Sequence, residues 1–255
     1  MTTYFIGDVH GCYQELKKLL SDISFKPKTD TLWFSGDIMN KGPKSHDVIS
    51  YIMSLPNADM VLGNHDMHFL ALSQGLLPEH KQHTLEGILK SPDLKDIITW
   101  VRGRKFVHTD GSNALVHAGL HPSWSIAEAV AYSAELTTIL QSDNWVDLLK
   151  TMYGDTPTKW HTEIQGSERT RCLINIFTRM RFLTPTLELD FEQTGCPNDT
   201  QQLIPWYDIK NNNLAATKVF FGHWAALKGN SNHARCIALD GGCVYGGELI
   251  AKKIS

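Results

Sequence analysis

The sequence lacks the features that mark membrane, secreted and multidomain proteins. No apolar stretch approaches the roughly 20 residues that a membrane-spanning helix needs, so we expect no membrane partner. The N-terminus enters an apolar segment at once, and we therefore expect no signal peptide. No linker, repeat or low-complexity tract divides the 255 residues, which favours a single domain spanning 1–255.

Cysteine is scarce, and so is any excess of positive charge. The five cysteines are odd in number and form no C-x-x-C pair, so neither a disulfide framework nor a zinc knuckle is expected. Reduced thiols fit a cytoplasmic protein. The net charge of −3 argues against a broad nucleic-acid-binding face, and we expect no DNA partner. It still permits a small cationic pocket.

What the sequence does contain is a repeated unit, a short apolar run that ends near a polar residue of a metal-binding type. Such runs are typical of buried strands, and segments 13–20 and 45–55 between the first of them have helical spacing. This alternation predicts a mostly parallel sheet, in which ligands bind at the carboxyl ends of the strands. The units are Tyr4–Ile6 with Asp8 and His10, Thr31–Ser35 with Asp37, Met60–Leu62 with Asn64, Leu115–Val116 with His117, and Val219–Phe221 with His223.

The six polar residues of these units predict a metal centre. Carboxylate, amide and imidazole donors together suit Mn²⁺, Fe²⁺, Co²⁺ or Zn²⁺. Six ligands are too many for one ion that must also bind water and substrate, but they are enough for two ions that share a carboxylate. Two metals roughly 3.5–4 Å apart can clamp the oxygens of a phosphoryl displacement and acidify a water between them. His65, beside Asn64, is the natural candidate for protonating the leaving oxygen.

Each of these residues alone would be read as an ordinary loop or turn residue. Their joint occurrence at five strand ends is what indicates a site.

The same blocks resemble those of the calcineurin-like metallophosphoesterases, and the second half of the chain resembles the symmetrical diadenosine tetraphosphatases in particular. The first-half blocks are Gly7-Asp8-Val9-His10-Gly11, Gly36-Asp37 with Lys41-Gly42, Gly63-Asn64-His65-Asp66 and Val116-His117-Ala118-Gly119. The second-half blocks are Asn175 to Phe182, Phe221-Gly222-His223-Trp224-Ala225, and Ala238-Leu239-Asp240 with Gly246-Gly247.

The resemblance implies an α/β fold, a calcineurin-like metallophosphoesterase sandwich of two mixed β-sheets flanked by helices (α-β-β-α). It implies two divalent metal ions, with Mn²⁺ expected and Co²⁺ or Fe²⁺ as alternatives. The implied ligands are Asp8, His10 and Asp37 for one ion, and Asp37, Asn64, His117 and His223 for the other. Asp37 would bridge the ions, and His65 matches the family's proton donor.

The implied reaction splits a dinucleoside tetraphosphate into two nucleoside diphosphates by attack of a metal-bridged hydroxide. Removal of nucleoside-tetraphosphate caps from RNA 5′ ends would follow from the same chemistry.

Three positions depart from the related patterns. Asn40 stands where the protein phosphatases of the superfamily carry an Asp that orients the proton-donating His. An amide can still accept a ring N–H bond but supplies no charge. Lys41 replaces the usual Arg and keeps the phosphate-binding charge without the two-pronged grip. Gly241 replaces a Thr, with no consequence that the sequence reveals.

Extra cations are expected because a tetraphosphate carries more charge than two metals with their carboxylates can balance. Arg179 and Arg181 are the candidates, together with Lys41. The two arginines lie about 200° apart on a helix, so they cannot share a face unless the helix ends there. Arg169 and Arg171 are more simply explained as solvated or ion-paired surface residues.

Two other functions stay open at this point. One is a protein serine/threonine phosphatase of the same superfamily, and the other is a metal-binding scaffold without activity. The residues from Leu76 to Gly111 are expected to form a helical insert over the site.

Overall fold

The computed structural model describes residues 1–77, 84–210, 214 and 216–254. Helices and strands alternate through the first half of this part of the chain. The helices are α1 (Tyr13–Asp22), α2 (Ser45–Ser54), α3 (Asn64–Ser73), α4 (Glu86–Leu89), α5 (Leu94–Arg102), α6 (Ile126–Gln141), α7 (Trp145–Thr151) and α8 (Gly166–Arg179). The strands are β1 (Thr3–Ile6), β2 (Thr31–Phe34), β3 (Ala58–Met60), β4 (Val107–Thr109), β5 (Asn113–Val116), β6 (Phe182–Leu183), β7 (Leu189–Asp190), β8 (Ile204–Pro205), β9 (Lys218–Phe221), β10 (Cys236–Ala238) and β11 (Ala251–Ile254).

The main strands form two four-stranded sheets, in the orders β11-β1-β2-β3 and β10-β9-β5-β4. Each sheet has three parallel strands and one antiparallel edge strand, β11 beside β1 and β4 beside β5. A smaller antiparallel sheet has the order β7-β6-β8. The alternation of strand and helix alone predicted one mostly parallel sheet. The chain instead divides those strands between two mixed sheets, as the family resemblance implied.

Alternate residues of the strands fill two different layers of the core. Phe5 and Phe220 meet edge to face with ring centroids 4.9 Å apart, Phe5 stacks on Trp33 at 5.3 Å, and Leu115 joins the same cluster. These residues come from both sheets and form the layer between them. Ile6, the next residue after Phe5, belongs to the larger cluster that the helices share. The two-residue period of a strand therefore produces the α-β-β-α sandwich.

The ends of two helices are defined by their local structure. Ser125 Oγ accepts the Glu128 N–H at 3.2 Å and Glu128 Oε2 accepts the Ser125 N–H at 2.8 Å, which forms a capping box at the start of α6. Helix α8 ends at Arg179, so Arg181 lies beyond it and is free of the helical constraint.

The segment 76–111 is only partly helical where it is described. It contains α4 and α5, whose buried residues Ile88, Ile97 and Val101 join the main core, and it ends with strand β4 of the second sheet. Residues 78–83 of this range lie outside the described part of the chain. No helix among the described residues has the length and apolar character required to cross a membrane.

Candidate active site

Five residues of the candidate site have a left-handed backbone, which few residues other than glycine adopt. Their φ angles lie between 47° and 72°. Strained backbone of this kind is concentrated at functional sites, where the surrounding structure holds it in place. The five residues are His10, Asp37, Asn40, Lys41 and His223.

The loops after the strands meet at one edge of the sandwich and bond to each other. The Gly222 N–H donates to the His117 carbonyl at 2.8 Å, and the His10 N–H donates to the Asp37 carbonyl at 2.8 Å. Asp8 Oδ1 accepts from the Ser35 hydroxyl at 2.7 Å. Five of the six predicted ligands therefore come from loops that bond to one another, and the sixth, Asn64, is the first residue of α3.

Gly222 is required by the close approach of Asp8. A Cβ at position 222 would lie 1.9 Å from Asp8 Oδ1 and 2.6 Å from Ser35 Oγ. The other oxygen of Asp8 accepts the His223 N–H at 2.9 Å. The carboxylate is buried, and this burial together with the Asp240 carboxylate raises the pKa of Asp8 well above its usual range. A bound cation would offset that cost.

Asp37 lies at the centre of the site. Its Oδ2 is 3.6 Å from His10 Nε2 and 3.4 Å from His117 Nε2, and its Oδ1 accepts the His65 N–H at 2.8 Å. Burial alone would raise the pKa of Asp37, but the imidazoles of His117, His65 and His10 lower that pKa well below its usual range. One oxygen thus faces ring nitrogens from both halves of the site.

The second half of the site brings an amide, a carboxylate and two imidazoles together. Asn64 Oδ1 is 3.2 Å from His117 Nε2, and one donor atom each of Asp37, His117 and His223 lie within 4.8 Å of one another. Burial would lower the pKa of His117, but the Asp37 and Asp8 carboxylates raise it to about 9. The site therefore attracts positive charge.

The hydrogen bonds of the histidines fit bound cations. In each of the three predicted ligands one ring nitrogen donates to a main-chain carbonyl: His10 Nδ1 to Met39 at 3.4 Å, His117 Nδ1 to Ser35 at 2.7 Å, and His223 Nε2 to Arg179 at 3.1 Å. In the neutral ring, the form that binds a metal, the other nitrogen keeps a lone pair. Metal-binding histidines are commonly fixed in this way, so the donor set suits divalent ions.

In His65, unlike the three predicted ligands, Nδ1 accepts a hydrogen bond instead of donating one. Asn40 Oδ1 accepts the N–H groups of Lys41 at 2.8 Å and Thr84 at 3.1 Å, so the amide nitrogen faces His65 Nδ1 at 2.9 Å and donates to it. Asn40 therefore does not accept a ring N–H bond, the role considered from the sequence. The ring proton of neutral His65 therefore lies on Nε2, which can donate a hydrogen bond but has no lone pair for a metal, although His65 groups with His10 and Asp37.

Asp66 stabilises the backbone around the predicted ligands, a role not predicted from the sequence. Its buried Oδ2 accepts the Asp37 N–H at 2.8 Å and the Gly63 N–H at 2.9 Å. It thereby joins the start of α3 to the loop that carries Asp37.

Asp240 and Ser35 were also missed as site residues. Asp240 is buried, lines the central cavity with His10 and Asp37, and accepts the Gly242 N–H at 2.9 Å. It follows strand β10, so the pattern that predicted the other six residues applies to Asp240 as well. Ser35 carried no such signal, because its hydroxyl acts on Asp8 from another strand.

The three cationic side chains predicted to contact phosphate line the same cavity. Lys41 Nζ donates to the Tyr245 hydroxyl. Arg179 Nη1 bonds Asp155 Oδ1 at 2.8 Å and Asn175 Oδ1 at 3.0 Å. Arg181 Nη2 donates to the His223 carbonyl at 3.0 Å, while its buried Nε has no hydrogen-bond partner among the described residues. An unpaired buried donor is costly, which suits an anionic ligand.

The two remaining arginines of α8 have structural partners, as expected. Arg169 forms a two-pronged ion pair with Glu135, with N–O distances of 2.7 and 2.9 Å. Arg171 donates to main-chain carbonyls, including that of Thr156 at 2.6 Å.

Comparison with known proteins agrees with this geometry. The model of the calcineurin-like phosphoesterases matches residues 1–173. The chain belongs to the calcineurin-like phosphoesterase family. Membership implies divalent metal ions, and the two ligand groups around Asp37 provide for them.

Relatives in the family match over nearly the full length of the chain. A protein of Nitrosococcus oceani named symmetrical bis(5′-nucleosyl)-tetraphosphatase is 40% identical over 100% of this chain and 93% of its own. Proteins with the same name from Aliivibrio salmonicida and Salmonella newport are each 41% identical, over 96% and 98% of this chain and 93% and 90% of their own.

Solved structures show the same fold. A crystal structure described as a diadenosine tetraphosphatase has a TM-score of 0.65 and 26% identity, and covers 99% of this chain and 89% of its own. A serine/threonine phosphatase from Saccharomyces cerevisiae has a TM-score of 0.53 at 13% identity, over 100% of this chain and 80% of its own. That second likeness is one of fold alone.

Proposed function

We propose that the protein is a hydrolase that cleaves dinucleoside tetraphosphates symmetrically into two nucleoside diphosphates. The observation that carries this proposal is the pair of candidate ligand groups that share Asp37, joined to a cavity lined by Lys41, Arg179 and Arg181. Curated relatives about 40% identical over nearly their whole length are named for this activity.

Two divalent ions are the cofactors we infer, with Mn²⁺ expected and Co²⁺ or Fe²⁺ as alternatives. Asp8, His10 and Asp37 would hold one, and Asp37, Asn64, His117 and His223 the other. When bound, the ions supply Lewis acidity to phosphate oxygens and make water a nucleophile at neutral pH. Asp240 would add negative charge beside the first ion.

The side chains of this chain would then bind the phosphates and deliver a proton. Arg181 is the preferred phosphate contact, because its Nε is unpaired whereas Arg179 already bonds Asp155 and Asn175. Lys41 would act as a point charge. His65 would donate a hydrogen bond from Nε2 to the leaving diphosphate as negative charge develops there, and Asn40 would hold the neutral ring in that tautomer. Burial lowers the pKa of His65 to about 4, which favours the neutral ring.

The leading alternative is a protein serine/threonine phosphatase. Asn40 argues against it, because a donor to His65 Nδ1 cannot stabilise the imidazolium that an Asp would favour. The solved phosphatase of that class shares only the fold with this chain.

The experiment is a substrate screen with metals added one at a time. Purified protein, stripped with chelator, is given Mn²⁺, Co²⁺ or Mg²⁺ and then diadenosine tetraphosphate or a phosphopeptide. Anion-exchange chromatography should show ADP as the only product from the tetraphosphate. An Asp37→Ala protein purified in parallel controls for contaminating hydrolases. Formation of AMP with ATP, or faster turnover of the phosphopeptide, would contradict the proposal.

Two further parts of the prediction extend from this function. Removal of nucleoside-tetraphosphate caps from RNA 5′ ends would cleave the same type of phosphoanhydride bond in the same site. Adding capped RNA to the substrate screen tests this activity. A cytoplasmic location is supported by the five cysteines, which are all free thiols.

A further inference from the structure

Three cavities lie in a row through the candidate site. The central cavity, about 430 Å³, is lined by charged groups including Asp37, Lys41 and Arg181, and we call it the phosphate cavity. It shares Asn64, His65 and Arg179 with a cavity of about 440 Å³ on one side. It shares Ala225 and Tyr245 with a third cavity, about 480 Å³, on the other side.

The outer cavities differ from the central one in chemistry. Met67, Met152, Ile174 and Tyr153 give the first an apolar and aromatic lining, and we call it the Tyr153 cavity. The other, the Tyr245 cavity, is lined by Tyr245 and by Ala225, Ile250 and four glycines at 241, 242, 246 and 247. A charged channel between two apolar, aromatic recesses matches a molecule with a charged centre and two aromatic ends.

The two tyrosines are exposed although most large apolar side chains are buried. In the described part of the chain, four large hydrophobic side chains are exposed: Met1, Val130, Tyr153 at 44% and Tyr245 at 65%. An exposed tyrosine alone is ordinary. Here one tyrosine lines each outer cavity, so both exposed rings border the site.

Both rings are held by residues next to the catalytic candidates. The Tyr153 hydroxyl bonds His68 Nδ1 at 2.9 Å, and His68 is one turn beyond His65 in α3. The Tyr245 hydroxyl accepts from Lys41 Nζ, and that ammonium lies 5.0 Å from the ring centroid. Tyr245 therefore borders the phosphate cavity directly, whereas Tyr153 is tied through His68 to the helix that carries His65. Both rings are pre-oriented for stacking.

We propose that Tyr153 and Tyr245 bind the two nucleobases of the substrate by stacking, one on each side of the bond that is cut. This rests on the proposed function, because a dinucleoside tetraphosphate cut at its centre places one nucleoside on each side. Stacking is tolerant of base identity, since every base has a π-face. The enzyme should therefore discriminate weakly between adenine and guanine at either end.

The test replaces each tyrosine either by leucine, a large apolar residue without a ring, or by phenylalanine, which keeps the ring. Tyr153→Leu and Tyr245→Leu remove the stacking face, and Tyr153→Phe and Tyr245→Phe are the matched controls that keep it. With diadenosine tetraphosphate, each Leu variant should lose about 5–150-fold in kcat/KM, mainly through KM, and the double variant should lose the product of the two factors. The loss on inorganic tetraphosphate, which has no bases, should be much smaller.

Three results would overturn the assignment. They are full activity of the Leu variants on the dinucleotide, an equal loss on inorganic tetraphosphate, and a Phe variant as impaired as its Leu counterpart.

Calorimetric binding of diadenosine tetraphosphate to chelator-treated protein separates this inference from the proposed function. If the Leu variants bind diadenosine tetraphosphate more weakly, but the wild type with metal forms AMP and ATP or no product, the proposed function alone is refuted. Two ADP products with affinity independent of the rings would refute the stacking alone.

Discussion

Replacing Asp66 by alanine is expected to loosen the loop that carries Asp37. Asp66 Oδ2 accepts two buried N–H groups, from Asp37 at 2.8 Å and from Gly63 at 2.9 Å. Alanine leaves both donors without this acceptor, at about 1–3 kcal/mol each. The free energy of unfolding should therefore fall by about 2–6 kcal/mol, the sum of the two penalties.

Asp66→Asn is the matched control for this prediction. Its amide oxygen can accept both N–H groups, and its NH₂ can occupy the place of Oδ1, which has no partner in the described structure. Urea unfolding with chelator present measures stability without metal, and metal analysis after dialysis measures the effect on the site. Asn should stay near the wild type while Ala loses both stability and metal. Equal stability of the two variants would refute the reasoning.

The remaining predictions concern the site itself. Asp37→Ala should abolish turnover and reduce metal content, because both ligand groups lose a shared oxygen; a variant with two bound metals and normal kcat would disprove the bridge. His65→Ala should keep its metal but slow the chemical step by about 10²–10⁴-fold, with less effect on a substrate that has a better leaving group. Equal slowing on both substrates would show that His65 does not act on the leaving oxygen. Lys41→Ala should lower kcat/KM by about 3–4 kcal/mol of transition-state stabilisation, whereas Lys41→Arg should keep most activity. An inert Lys41→Ala would show that the ammonium touches no phosphate.

The sequence was informative wherever a short apolar run ended in a polar residue. His117 and His223 come from the second sheet and Asp37 from the first, yet all three were found by that one local pattern. The carboxyl ends of the parallel strands in both sheets lie at the same edge of the sandwich. The strand-end pattern therefore applies although the strands belong to two sheets and not to one. The position of β3 was less well predicted. It covers Ala58–Met60 where the apolar run suggested Met60–Leu62, because Val61 already bridges to Lys105.

The orientation of side chains could not be obtained in this way. Asn40 turns its amide nitrogen to His65 only because the Thr84 and Lys41 N–H groups occupy its oxygen, and Thr84 lies 44 residues away in sequence. Which arginine is free to bind phosphate likewise depends on Asp155 and Asn175, which pair with Arg179 but not with Arg181.

The aromatic residues of the outer cavities could not be predicted from the sequence, because they are far apart along the chain. Tyr153 and Tyr245 belong to different segments and share no motif, and their common feature is exposure beside one site. Their relation becomes visible only when the three cavities are placed in order.

Oxygen labelling in a single turnover tests the central claim most directly. The protein lacks a serine or cysteine placed by its motifs as a nucleophile, so water should attack an inner phosphorus of the tetraphosphate in one step. In water enriched with ¹⁸O and with enzyme in excess, one ADP should carry one solvent oxygen on its terminal phosphate, and the other ADP none. AMP with ATP as products would contradict symmetrical cleavage. Product with an unlabelled oxygen taken from the enzyme would contradict direct attack by water.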